Sequence, residues 1–217
     1  MSADFASTQL SHHFLIAMPG LEDPVFAKSV VYLCEHSERG AMGLIINKPG
    51  DLSLKHLFEK VELTLHREDL LQSNVLQGGP VQTERGFVLH EPMLEVDSLD
   101  SEPSEDITAE PSPEAGTKNN SIYASTLSVP GGLAMTTSKD ILEAMANGSG
   151  PKRVLVTLGY ASWGEGQLES EIGENSWLTV EADPSVIFDT PIEQRYEKAL
   201  AILGLQPWML STVAGHA

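Results

Sequence analysis

Apolar positions along the chain fall into short runs separated by turn residues, and most runs have the length of strands rather than helices. Residues 13–17, HFLIA, predict a first short strand, followed by turn material, MPGLEDPVF, with two prolines and a glycine. Residues 29–36, SVVYLCEH, are β-branched and aromatic, end at the turn SERG, and resume at 40–47, GAMGLIIN, which predicts an antiparallel hairpin. Leu44, Ile45 and Ile46 are apolar at successive positions, so that strand is expected to be covered on both faces and something must pack outside the sheet. One candidate is a helix capped by Ser53, in which Leu54, Leu57, Phe58 and Val61 recur at helical spacing. Residues 74–79 and 86–91 predict two more strands; in the second, Phe87 and Leu89 share one face and Val88 and His90 the other. The run QGGPVQTERGFVLH therefore predicts two strands joined by a tight loop.

Further strands are predicted at SIYASTL, GLAMTT, 154–158 and NSWLTVEA. Thr137 and Asp140 stand at capping-box spacing before the helix ILEAMANG, which Gly148 ends as a left-handed cap. Thr190 and Glu193, with Pro191 between them, predict a second capped helix reaching Leu203, with Gly204 beyond it. About eight short strands, often consecutive, with four helices favour an α+β fold over a doubly wound one.

The segment 94–120 breaks this pattern. Its eight acids, interspersed with Pro103, Pro111, Pro113 and several serines, face the single Lys118. Such a stretch cannot bury enough apolar surface to offset its ordering entropy, and is expected to be a mobile acidic insertion in one domain spanning 1–217. A long connection is tolerated, because a fourfold longer loop costs only about 1.2 kcal/mol more to close. The insertion carries −7 of a formal charge of −18, so the rest remains strongly acidic. That charge repels phosphate backbones and disfavours direct nucleic-acid binding. The N-terminal residues have no basic region, and the apolar run 14–18 is too short for a signal peptide or membrane span. A cytoplasmic location without membrane attachment is expected.

The densest concentration of unusual residues is 158–177, LGYASWGEGQLESEIGENSW. A strand ending in Gly-Tyr and Trp-Gly turns lets the backbone approach a neighbour closely. Aromatic walls with converging polar groups suit a small-molecule cleft, with Tyr160, Trp163, Gln167 and Glu169 as its candidate residues. The structural alternative has Gln167 and Glu169 satisfying nearby groups while Trp163 and Trp177 fill core. Glu169 and Glu171, two apart on a helix, do not form an acid pair. Cys34 and His36 share a face of an ideal strand and form a candidate thiolate and base. Glu35 and Glu38 make that neighbourhood negative, however, and a buried structural cysteine is the competing reading. Asn47, Lys48, Gly78, Gly79 and Arg85 are candidate anion contacts, although GGP lacks the spacing and lysine of a P-loop and also fits a simple turn. The seven histidines show no metal spacing, and neither a metal nor a cofactor is expected.

Four stretches, FLIAMPGLEDPVFAKSVVYLCEHSERGAMGLIINKP, QGGPVQTERGFVLH, TTSKDILEAMANGSGP and LGYASWGEGQLESEIGENSWL, together resemble the YqgE/AlgH family of small bacterial proteins. The resemblance runs from Phe14 to the C-terminus. It implies a mixed, bifurcated β-sheet curled into a pseudo-barrel with helices packed against it, in proteins described as transcriptional regulators. It implies no reaction and no DNA-binding motif. Two features depart from the family pattern: the acidic stretch is longer than its connection there, and Ser162 stands where alanine or glycine is more usual. The leading functional expectation is a non-enzymatic regulatory or binding protein acting through a protein partner or a small ligand. An enzyme using Cys34 and a DNA-binding regulator are the alternatives.

Overall fold

Ten strands and five α-helices account for most of residues 9–93 and 122–210, which the computed structural model describes; the insertion expected at 94–120 lies outside them. The chain starts with β1 (His13–Ala17) and the hairpin of β2 (Val30–Ser37) and β3 (Gly40–Ile45), as their runs predict. A short strand without a hydrophobic signal, β4 (Pro49–Ser53), leads into α1 (Leu54–Lys60), whose first turn Ser53 caps by accepting from His56 N. Next come β5 (Asn74–Gln77), β6 (Val81–His90), β7 (Thr126–Val129), β8 (Leu133–Thr136) and α2 (Lys139–Ala146). The chain continues through β9 (Val154–Trp163), α3 (Gln167–Gly173), β10 (Trp177–Glu181), α4 (Pro184–Phe188) and α5 (Arg195–Ile202).

The strands form one curled, mixed sheet in the order β10-β1-β2-β3-β9-β6-β8-β7, and it forks at β9. One edge of β9 pairs with β3 over 161–163 and with β5, in parallel, over 157–158; the other edge carries β6 from Val154 to Tyr160. The inner face buries Phe14, Ile16, Tyr32, Leu44 and Leu89 under Val186 and Ile187 of α4 and Ala199 and Leu200 of α5. Outside, α3 covers Leu15, Leu33 and Ile45, while α1 and α2 cover Val88 and Val156. Two-sided cover explains the unbroken apolar runs of β1 and β3, because alternate residues serve different layers and each fully buried side chain contributes about 1.5–3 kcal/mol.

Two strands joined by a tight loop are found over 74–90 as expected, but they pair with β9 and not with each other: Gly78 and Gly79 carry the chain from one edge of β9 to the other, and Gly78 N donates to Leu158 O at 2.8 Å. Two local expectations need correction. Strand β9 does not turn at Gly159 but runs on to Trp163, with the irregularity absorbed by β6 between Val81 and Gly86. Neither predicted capping box forms. The N-cap of α2 is Ser138, with Asp140 instead accepting from Ala124 N at 2.7 Å. Thr190 donates back to Ser185 O of α4, so a 3-10 turn at Ile192–Gln194 precedes α5.

Candidate functional site

The stretch 158–177 folds into a closed, self-satisfied unit. Where β9 ends, Gln167 Oε1 accepts from Gly164 N at 3.0 Å and closes the turn into α3. Its Nε2 donates to Glu171 Oε1 at 2.9 Å, while Glu171 Oε2 accepts from the indoles of Trp163 at 2.9 Å and Trp177 at 2.8 Å. The two indoles meet edge to face and Phe26 packs against both. On another side of α3, Glu169 accepts from His36 Nε2 at 2.8 Å, and His36 Nδ1 accepts from Leu10 N at 3.2 Å. Tyr160 lies on the opposite face of β9 from Trp163, against Phe87 in the inner core. The cleft expected from Tyr160, Trp163, Gln167 and Glu169 is therefore not assembled: an odd separation along β9 sends its two aromatics to different layers.

Cys34 and His36 are also separated. A bulge between Leu33 and Glu35 shifts the phase of β2, so Cys34 packs in the inner core while His36 joins Leu10 and α3 outside. Cys34 is 1% exposed, and burial pushes its thiol far above the usual range, so it presents no thiolate at neutral pH. The anion candidates do not converge either. Asn47 ties strands together, accepting from Val30 N at 2.7 Å and donating to Lys28 O at 2.9 Å. Burial lowers the pKa of Lys48, and its carbonyl accepts from Gln77 N. Arg85 donates to Gln82 and Thr137 and lies over Phe87. Gly78 and Gly79 are pressed against β9: a Cβ on Gly78 would stand 2.2 Å from Gly159 O. Among the described residues, no group of three or more His, Cys, Asp or Glu could hold a metal ion.

A groove of about 560 Å³ opens elsewhere, between the 69–76 segment, the start of β9 and the α4–α5 arm. Its first wall is held by Arg67, which donates to Pro151 O at 2.7 Å and Lys152 O at 2.8 Å and pairs with Asp69 at 2.5 Å. In the second, Arg153 bridges Glu91 and Asp189 and lies over the Phe188 ring at 5.1 Å. Its Nε is buried without an acceptor among the described residues. Arg195, only 7% exposed, donates through Nε to Thr190 O at 3.0 Å and through Nη1 to Ile46 O. Desolvation pulls its pKa down to about 10, so it remains charged at neutral pH. Sequence reasoning missed this groove because its residues come from three distant stretches. One signal was present: Arg195 stands four and five residues before Ala199 and Leu200, a cation on the buried stripe of α5.

The family model that matches the chain is described as AlgH-like and covers residues 14–208. The chain belongs to the AlgH-like family. An AlgH-like relative from Paracidovorax citrulli, called only a UPF0301 protein, is 68% identical over all 217 residues of both chains, and one from Polaromonas is 63% identical over the same span. Both matches extend over the whole of each chain, the acidic stretch included. The solution structure of AlgH from Pseudomonas aeruginosa is 44% identical, with 97% of each chain covered and a TM-score of 0.69. A crystal structure from Corynebacterium diphtheriae, 19% identical with a TM-score of 0.63, covers 90% of this chain and 87% of its own, and shares the fold. Among the described residues, no helix of this AlgH-like chain is long and apolar enough to cross a membrane.

Proposed function

We propose that this AlgH-like protein is a non-enzymatic, cytoplasmic binding protein that takes a small molecule into the groove beside α4 and α5 and transmits its ligand state through protein contacts. The observation that carries the reading is the groove: about 560 Å³, with walls from three separate parts of the chain. That volume falls within the range of small-molecule sites, and half-apolar walls with a few fixed polar groups suit such a ligand. The aromatic stretch 158–177 offers less, because its polar side chains already satisfy one another. A regulatory role through direct DNA contact is opposed by the formal charge of −18, so the reading places regulation on protein partners.

A thermal-shift screen against fractionated cell metabolites tests this. A ligand present at a hundred times its Kd stabilises the fold by about 2.7 kcal/mol, which for a chain of this size raises Tm by about 5–10 °C. Asn74→Trp, on an exposed groove-lining position of β5, fills the site and should abolish the shift. The reading falls if no fraction shifts the wild type, or if the same shift persists in Asn74→Trp.

A further inference from the structure

Arg195 is a buried cation with no ion-pair partner among the described residues, Glu193 acting on it only at longer range. Among the described residues no carboxylate lies within ion-pair distance of it, although the chain has thirty-one acids to thirteen Lys and Arg. The other arginines around the groove are neutralised, Arg67 by Asp69 and Arg153 by Glu91 and Asp189. Two backbone carbonyls take Nε and Nη1 of Arg195, and no acceptor among the described residues takes Nη2. Arg153 Nε, in the same lining, is a second guanidinium N–H without an acceptor among the described residues. Desolvating a charge without pairing it is costly, and this groove does so beside a further exposed cation, Lys152. Its lining carries three cations against two carboxylates, a local excess of +1 on a molecule of −18.

Resting on the reading that the groove is the ligand site, we infer that its ligand is a small organic oxyanion, with a carboxylate or phosphoryl group on Arg195 and an apolar body against Leu70, Phe188 and Ile192. The guanidinium fork matches the paired oxygens of such a group and supplies the short, charge-assisted bonds that a neutral ligand cannot use. The three apolar side chains are only partly buried and line the same groove, so they provide the surface a wholly inorganic ion would leave uncovered. Selection against cations and larger polyanions follows from the same charges, since the lining has a local excess of +1 on a chain of −18.

The test titrates the full-length, ¹⁵N-labelled protein with phenyl phosphate, benzoate and benzyl alcohol at constant ionic strength, observing backbone amides and arginine Nε–H groups. At least one anion should bind about tenfold or more tightly than the alcohol, shift the Arg195 Nε–H signal and move the amides of Thr190 and Ile192. Preference between phenyl phosphate and benzoate then assigns the group. Arg195→Lys, which keeps charge but loses the fork, should weaken the anion and leave the alcohol unchanged; should that variant not fold, the wild-type titration decides alone. Equal affinity for alcohol and anions at these amides overturns the oxyanion inference and leaves the groove reading standing. If none of the three moves any groove amide, both are overturned.

Discussion

Two buried indole N–H groups share one carboxylate oxygen at Glu171, so a single partly exposed side chain satisfies the ends of β9 and β10 together. Removing it strands both donors in the packed layer formed with Phe26 and Leu168. An unsatisfied buried donor costs about 1–3 kcal/mol, and two are lost together. Glu171→Ala should therefore destabilise the fold by about 2–5 kcal/mol in urea titrations followed by tryptophan fluorescence, and Glu171→Gln, which keeps an acceptor oxygen, by less than half as much. A loss below about 0.5 kcal/mol for the alanine variant, the usual range for a surface change, would show that water replaces the carboxylate. Of the candidate cleft residues Tyr160, Trp163, Gln167 and Glu169, only Trp163 and Gln167 bond to Glu171, alongside Trp177, which the core-filling alternative named. Their convergence on Glu171 required the turn at 164–166 and the return of β10, neither of which has a period to read.

The fork at β9 is the element on which the two halves of the sheet depend. Gly79 has φ +153, and a Cβ there would lie 2.2 Å from the Tyr160 carbonyl carbon, where only backbone could give way. Gly86, on the same strand system, has nothing within 4 Å of its virtual Cβ and no positive φ. Gly79→Ala should cost about 3–5 kcal/mol or prevent folding, whereas Gly86→Ala should be neutral or stabilising by up to about 1 kcal/mol. Comparable urea midpoints for the two variants would mean that the crossing does not hold the fork closed. Strand identity was legible because β1, β2, β3, β9 and β10 pack apolar residues on both faces. The crossing was not, because Gly-Gly-Pro is as natural in a hairpin loop as between opposite edges of a strand, and only β9, nearly eighty residues later, decides. The Ser53 cap held, but the other two helix starts failed for a related reason: Asp140 and Thr190 find partners at Ala124 and Ser185 that tertiary packing provides and local spacing does not reveal. The groove was hidden in the same way, since Leu70, Arg153 and Arg195 are neighbours only once the sheet has curled.

For the whole molecule, acidification sets two effects against each other. Lowering the pH toward the sequence pI of 4.6 relieves self-repulsion in a chain of −18, which favours the compact state. Buried histidine does the opposite. His90 is 1% exposed, and its Nδ1 contacts the Glu91 carbonyl at 2.7 Å; a carbonyl can only accept, so Nδ1 carries the proton and Nε2 accepts from the Thr136 hydroxyl at 2.8 Å. Protonating Nε2 would reverse that second bond, with Thr136 Oγ1 now accepting, and would bury a charge; desolvation accordingly lowers the His90 pKa below 6.5. His12, also desolvated, shifts the same way. The unfolded chain therefore binds more protons than the native one below about pH 6.5. The histidine contribution is complete above that pH and is lost as the pH falls through the folded-state values, by at most about 1.4 kcal/mol per pH unit for each proton. Salt separates the two effects: at about 0.5 M the screening length is only a few ångströms, so surface repulsion fades while the buried groups are barely screened. In that salt the urea midpoint should fall between about pH 7.5 and pH 5, and His90→Gln, already less stable at the higher pH, should show a shallower fall. A midpoint that holds or rises over this interval at high salt would mean that His90 is protonated without cost in the native fold, and the neutral Nδ1–H form assigned to it would be wrong.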